Sequence, residues 1–315
     1  MTSIRKSFKG RDFLTLQDFT SDEVKTFIDV AMELKAMLKK GEPHQYLKGK
    51  TLGLIFQKSS TRTRVSFEVG MYQLGGYPLF LSSNDLQMGR GETIADTART
   101  LSRYLDGIMI RTYAQSDVEE LAQYADIPII NGLTDLVHPT QVIADLQTVL
   151  EHKGQLAGLK MAFLGDGNNV ANSLMHGCAK VGMNISIASP PGYKPPEEIV
   201  AEARAAAETT GSVIEITEDP VAAVTGADVI YTDVWASMGQ EQEQEERAKV
   251  LSAYQVNAEM VLHAKPDYIF LHCLPAKRGQ EVTAEIIDGP HSVVFDEAEN
   301  RLHAHKAIMA LVMQD

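Results

Sequence analysis

Cysteine and tryptophan are nearly missing: the 315 residues hold two cysteines, Cys178 and Cys273, and one tryptophan. Two thiols so far apart, in no metal-ligand spacing, exclude a disulfide framework and a cysteine-built zinc site, and a reducing, cytoplasmic compartment is expected. Long apolar runs are missing too. None approaches the roughly 20 residues that span a bilayer, and no apolar signal core opens the chain, so a membrane is not an expected partner. The first eleven residues are basic and acid-free, as in a transit peptide, but too few to make one. Positive charge is the scarcer sign, with 29 basic against 42 acidic residues and a net charge of −13, which argues against nucleic acid as a partner. Any anionic substrate must be held by a local positive pocket.

What is present is a regular alternation of apolar runs and amphipathic stretches. A chain of this length exceeds what one hydrophobic core usually serves, so two domains are expected. Thr20 and Glu23 have capping-box spacing, and Val24, Phe27, Ile28, Ala31, Leu34 and Leu38 then mark one helical face until Gly41 and Pro43 stop it. Downstream, strands are predicted near 51–56, 77–81, 107–112 and 127–131, with helices near 62–74, 93–105 and 117–125 between them. That rhythm means a parallel sheet. A helix over about 140–152 leads to the junction, and strands near 159–164, 184–188, 213–216, 228–232, 268–272 and 292–295 repeat the pattern. The acidic, glutamine-rich run at 240–247 reads as a solvated helix start or loop. The expected class is α/β: two open parallel-sheet domains with helices on both faces, 1–150 and 151–297, and a last helix over 298–315 packing back on the first.

In such sheets ligands lie beyond the carboxyl ends of the strands, and the polar motifs fall there. Ser60, Thr61, Arg62 and Thr63, preceded by Lys58 and Ser59 and followed by Arg64, sit where a strand turns into a helix. Free N–H groups, hydroxyls and guanidinium forks at a positive helix end suit a small phosphate better than a solvated basic turn. Arg111 ends a strand, either as a ligand or as a surface charge paired with Asp117 or Glu119. His138, Pro139, Thr140 and Gln141 open a helix with proline in its first turn; imidazole and amide together donate to an oxygen and accept from an NH₂, while His138 as a mere cap is the simpler alternative. The loop Gly165, Asp166, Gly167, Asn168, Asn169 mimics a dinucleotide fingerprint, but Val170 takes the third glycine's place and no ribose-binding acid follows the next strand. Asn169 therefore points to a small polar ligand. Asp233 and Ser237 offer a carboxylate and a hydroxyl suited to an ammonium and a carboxylate, with turn capping and a core-filling Trp235 as the simpler alternative. His272, Cys273, Leu274 and Pro275 form a turn after a buried strand, suited to a cis peptide, in which Cys273 is either filler or a reactive thiol.

Ser-Thr-Arg-Thr, His-Pro-Thr-Gln, Asp-x-x-x-Ser-Met-Gly and His-Cys-Leu-Pro, in this order over essentially the whole chain, resemble the aspartate/ornithine carbamoyltransferase family, and the last two resemble its ornithine branch. The resemblance implies carbamoyl transfer from carbamoyl phosphate to the δ-amine of L-ornithine, giving citrulline and phosphate in arginine metabolism, with no metal and no cofactor. Carried over, Ser60, Thr61, Arg62 and Thr63 hold the phosphate. Arg111, His138 and Gln141, with Pro139 and Thr140 in the same motif, hold the carbamoyl group, and Arg301, Cys273 and Leu274 complete that site. Gln87 resembles a glutamine lent across a trimer interface, which implies a homotrimer with shared sites; as a simpler alternative it is a solvated loop residue. Asn169, Asp233, Ser237 and Met238 match ornithine's binding positions. Thr63, Arg111 and His138 would stabilise the carbonyl oxygen as it gathers charge, and either Cys273 or the departing phosphate would accept the amine's proton. Competing acceptors within the family are putrescine, which lacks an α-carboxylate for the Ser237 loop, aspartate, and an acylated ornithine. A noncatalytic phosphate-ligand binding protein and a nicotinamide dehydrogenase are the readings from other classes.

Overall fold

The computed structural model describes all residues except 1–2, 84–85, 89 and 237–242. The chain forms two compact units, Met1–Ala144 with Glu299–Asp315, and Asp145–Ala298. The division falls inside the helix Pro139–Lys153, ahead of the expected boundary, and the helix Val294–Val312 is likewise divided between units.

The first unit holds β1 (Thr51–Phe56), β2 (Tyr77–Ser82), β3 (Gly107–Arg111) and β4 (Ile129–Leu133), all parallel, in the order β2-β1-β3-β4. Every residue of β3 and β4 is buried, as parallel strands covered on both faces require, whereas β2 at the edge is partly exposed. The helix Ser21–Lys39 begins with the expected capping box: Thr20 Oγ1 accepts the Glu23 N–H at 3.3 Å, and Glu23 accepts the Thr20 N–H at 2.8 Å. β4 starts at Ile129, later than expected, because Pro128 has no N–H to give the sheet; its carbonyl accepts from Ile108, and Asp12 takes the Ile129 N–H. The helix Ile94–Leu101 ends earlier than expected, as Ser102 turns its hydroxyl back on the Ala98 carbonyl at 2.8 Å.

The second unit holds β5 (Lys160–Leu164), β6 (Asn184–Ala188), β7 (Ile214–Thr217), β8 (Val229–Thr232) and β9 (Ile269–Leu271), again parallel, in the order β7-β6-β5-β8-β9. Its core includes Ala162, Leu164, Ile230, Phe270 and Trp235, so the tryptophan does fill space as its simpler reading held. The expected strand near 292–295 does not form: Ser292 makes one isolated bridge to Phe270, and a helix begins at Val294. Val293, Val294 and Phe295 look like a strand, but Asp296 and Glu297 place negative charge in a helical first turn, where the helix dipole favours it.

In both sheets the strand order reverses beside the first strand formed, between β1 and β3 and between β5 and β8. The carboxyl end of a sheet at such a switch point is where an α/β domain binds ligands.

Candidate active-site residues in the two units

In the first unit the groups converge beyond β1, β3 and β4. Ser60, in extended conformation, caps the helix Thr61–Gln73: its Oγ accepts the Thr63 N–H at 3.1 Å and donates to Thr63 Oγ1 at 3.1 Å. Thr63 is fully buried, and Arg301 Nη2 donates to its Oγ1 at 2.7 Å, which brings a cation from the last helix to this turn. Arg62 is half-buried with its Nε shielded from solvent, while Thr61 is exposed. Arg111 is buried at the end of β3, and its carbonyl accepts the Gln57 N–H at 2.9 Å, turning the chain toward Ser60. The surface-charge alternative for Arg111 therefore fails.

His138, Thr140 and Gln141 are buried, and Pro139 is the first residue of the helix Pro139–Lys153, where its missing N–H costs nothing. Burial first, then Arg301, Arg111, His305 and Arg62, hold His138 well below the usual imidazole range, so it is neutral at physiological pH. A neutral imidazole surrounded by guanidinium groups offers a hydrogen-bond donor without charge of its own. Gln87 is exposed, in a loop whose residues 84–85 and 89 lie outside the described ones.

One contact of this cradle is not signalled by any motif. Ser66 donates to the Arg62 carbonyl at 2.5 Å and takes a hydrogen from His305 Nδ1 at 2.8 Å, while the His305 ring stacks on Phe67. His305 stands four residues after Arg301, so helical spacing alone places both on one face.

In the second unit Asn169 is half-buried at the start of the helix Asn169–Val181. The residue before it, part of the same glycine-bent loop, organises the end of the sheet. Asn168 Oδ1 accepts from Val170 and Ala171, and its Nδ2 donates to Asp233 Oδ2 at 2.7 Å across the β5/β8 switch point. An asparagine directly ahead of an apolar helical run is a readable cap signal. Gly167 is required by close approach, since a Cβ there would stand 2.3 Å from the Pro195 nitrogen. The glycine pair thus serves packing and turn geometry, which removes the ground for a dinucleotide site.

Asp233 is buried beyond β8; its Oδ1 accepts from Cys273 Sγ at 3.2 Å and from the Val234 N–H at 2.8 Å. Cys273 is pushed well above the usual thiol range by burial, then by Asp233 and Glu297. A thiol that donates to a carboxylate holds its own proton, which weighs for the departing phosphate over Cys273 as the amine's base. Leu274 follows in left-handed conformation at φ 55°, ahead of a cis peptide to Pro275. Ser237 and Met238 lie outside the described residues. Asp233, His272 and Cys273 present ligand-type atoms within 4.8 Å of one another. However, His272 Nδ1 accepts the Leu274 N–H and its Nε2 faces Glu281, so neither ring nitrogen is left for a cation.

Residues 11–151 match the family model described as aspartate/ornithine carbamoyltransferase, carbamoyl-P binding domain, and residues 157–312 the Asp/Orn binding domain of the same family. A relative from Carboxydothermus hydrogenoformans named ornithine carbamoyltransferase is 64% identical, over 98% of this chain and 99% of its own. One of the same name from Thermococcus kodakarensis is 61% identical over 98% of each. The solved ornithine carbamoyltransferase of Pyrococcus furiosus superimposes with a TM-score of 0.95 at 57% identity, covering 97% of this chain and 98% of its own.

Proposed function

The chain belongs to the aspartate/ornithine carbamoyltransferase family, and from that premise we propose that it transfers the carbamoyl group of carbamoyl phosphate to the δ-amine of L-ornithine, releasing citrulline and phosphate. The observation that carries this reading is the first unit's cluster of Arg62, Arg111 and Arg301 around a neutral His138, Thr63 and Gln141. It offers charge for a phosphate, a donor for a carbonyl oxygen and an amide for the carbamoyl NH₂. In the second unit Asp233, bonded to Asn168 just ahead of Asn169, suits ornithine's α-ammonium, and the Ser237 and Met238 segment is assigned its α-carboxylate.

Ornithine's uncharged δ-amine attacks the carbonyl carbon. Arg111, His138 and Thr63 stabilise the oxygen, and the departing phosphate takes the proton that the Cys273 thiol is unsuited to accept. No metal or cofactor enters this scheme.

We read the protein as a homotrimer. Val65, Val69 and Tyr72 form one exposed face of the helix Thr61–Gln73, and Tyr77 and Leu79 are exposed on the edge strand β2, an apolar surface of the kind subunit contacts cover. Gln87, on the loop after that strand, is assigned to a neighbouring subunit's site. Free Cys178 and Cys273 fit the cytoplasm. Purified protein given both substrates should release phosphate and form citrulline, and putrescine should serve poorly. Equal rates with putrescine would remove the Ser237 segment from its assigned role.

A further inference from the structure

A chain of donors runs from the last helix into the anion cradle and begins at a side chain that the reaction scheme above leaves idle. Ser66 Oγ stands 2.5 Å from the Arg62 carbonyl oxygen and 3.2 Å from that of Thr63. A carbonyl brings no hydrogen, so the serine's single one lies in the shorter contact, and His305 Nδ1, 2.8 Å away, must donate to Ser66. His305 is fully buried and held neutral by burial, then by Arg301, so Nδ1 carries its only ring hydrogen. Helix serines often turn back on the carbonyl four residues earlier; here an imidazole from a second helix fixes the hydroxyl that does so. The Arg62 carbonyl and the Thr63 N–H belong to one planar peptide group. That group is pinned at both ends: Ser66 donates to its oxygen, and Ser60 Oγ takes its N–H at 3.1 Å. Ser60 passes its own hydrogen to Thr63 Oγ1 at 3.1 Å, and Arg301 Nη2 donates to the same oxygen at 2.7 Å. Thr63 Oγ1 thus accepts twice, and its own hydrogen is left to give onward.

We propose that His305 is a positioning residue for the phosphate: through Ser66 it sets the peptide group between Arg62 and Thr63, and with it the direction in which the Thr63 hydroxyl presents its hydrogen. This rests on the carbamoyl-transfer reading. The His305 ring also stacks on Phe67 with centroids 3.9 Å apart, so the hydrogen bond has to be separated from the packing. His305→Phe keeps a ring and loses the donor; His305→Asn loses the ring and keeps an N–H at the δ position. In the full-length protein, kcat/KM for carbamoyl phosphate should fall about tenfold in His305→Phe and stay within about threefold in His305→Asn, the difference of one buried hydrogen bond. KM for ornithine at saturating donor should be unchanged in both, since Asn169, Asp233 and the Ser237 segment assigned to it stand in the other unit. Affinity for inorganic phosphate, read by calorimetry, should fall in the same order. Equal losses, or the larger loss in His305→Asn, would mean that the ring only packs and would overturn the proposal. Should either histidine variant unfold, Ser66→Ala decides, because alanine suits a helix interior. It should repeat the tenfold loss, and a loss within about threefold overturns the proposal as well. If the unsubstituted protein yields no citrulline, the carbamoyl-transfer reading falls, and the phosphate affinities alone judge His305.

Discussion

The protons at two side chains decide how the proposed chemistry runs. His138 is kept neutral by burial and by the cations beside it, so it acts as a donor rather than as a charge. Cys273 is kept protonated by burial and by the Asp233 carboxylate it donates to. An amine like ornithine's ordinarily titrates near 10, so the rate should rise with pH as the attacking form accumulates. If the thiol is no base, Cys273→Ala should keep that rising limb at the same midpoint while lowering the rate through lost packing. A pH–rate series on both proteins checks this, and a flattened limb in the variant would return the proton to sulfur. None of this was legible in the residue string: the thiol could be named, but its environment comes from Asp233, forty positions earlier in the chain. Arg62 was legible because a strand-to-helix junction carries the mechanism with it, whereas Arg301 came only with the resemblance.

Elements were read well where a local signal fixed both ends and less well where tertiary contacts chose. The helix Ser21–Lys39 carries its own start in Thr20 and Glu23, and the structure uses it. Thr20→Ala removes one half of that reciprocal pair and should lower stability by about 1 kcal/mol without changing the denaturant slope, as measured by urea unfolding. An unchanged midpoint would mean that packing of Phe27 and Leu34 alone sets the helix. The run 292–295 shows the opposite case. Its apolar residues fit either period over so short a span, and Glu297 after them, facing Tyr231 and the His272 N–H, settled it as a helix start. Asn168 lay between: the signal was local, but its partner Asp233 was not.

At the scale of the molecule, acid should loosen the fold through buried histidines. His176 lies 3.3 Å from the partly exposed Glu202, yet burial outweighs that neighbour and, with Lys180, lowers its pKa to about 4. The folded state therefore binds fewer protons than the unfolded one between about pH 6.5 and 4. The stability tied to this group is whole above that window and is lost as pH falls through it, by about 3 kcal/mol at most. His138 and His305, also lowered, act in the same direction. Comparing urea midpoints at pH 7 and pH 4.5, at one protein concentration, His176→Gln should lose less than the unsubstituted chain. Identical losses would show that His176 does not resist protonation. The arginine that reaches Thr63 comes from 238 positions later, after the last residue of the second unit. A ribosome making this protein thus exposes the first anion cradle unfinished until the whole second unit and Arg301 after it have been made.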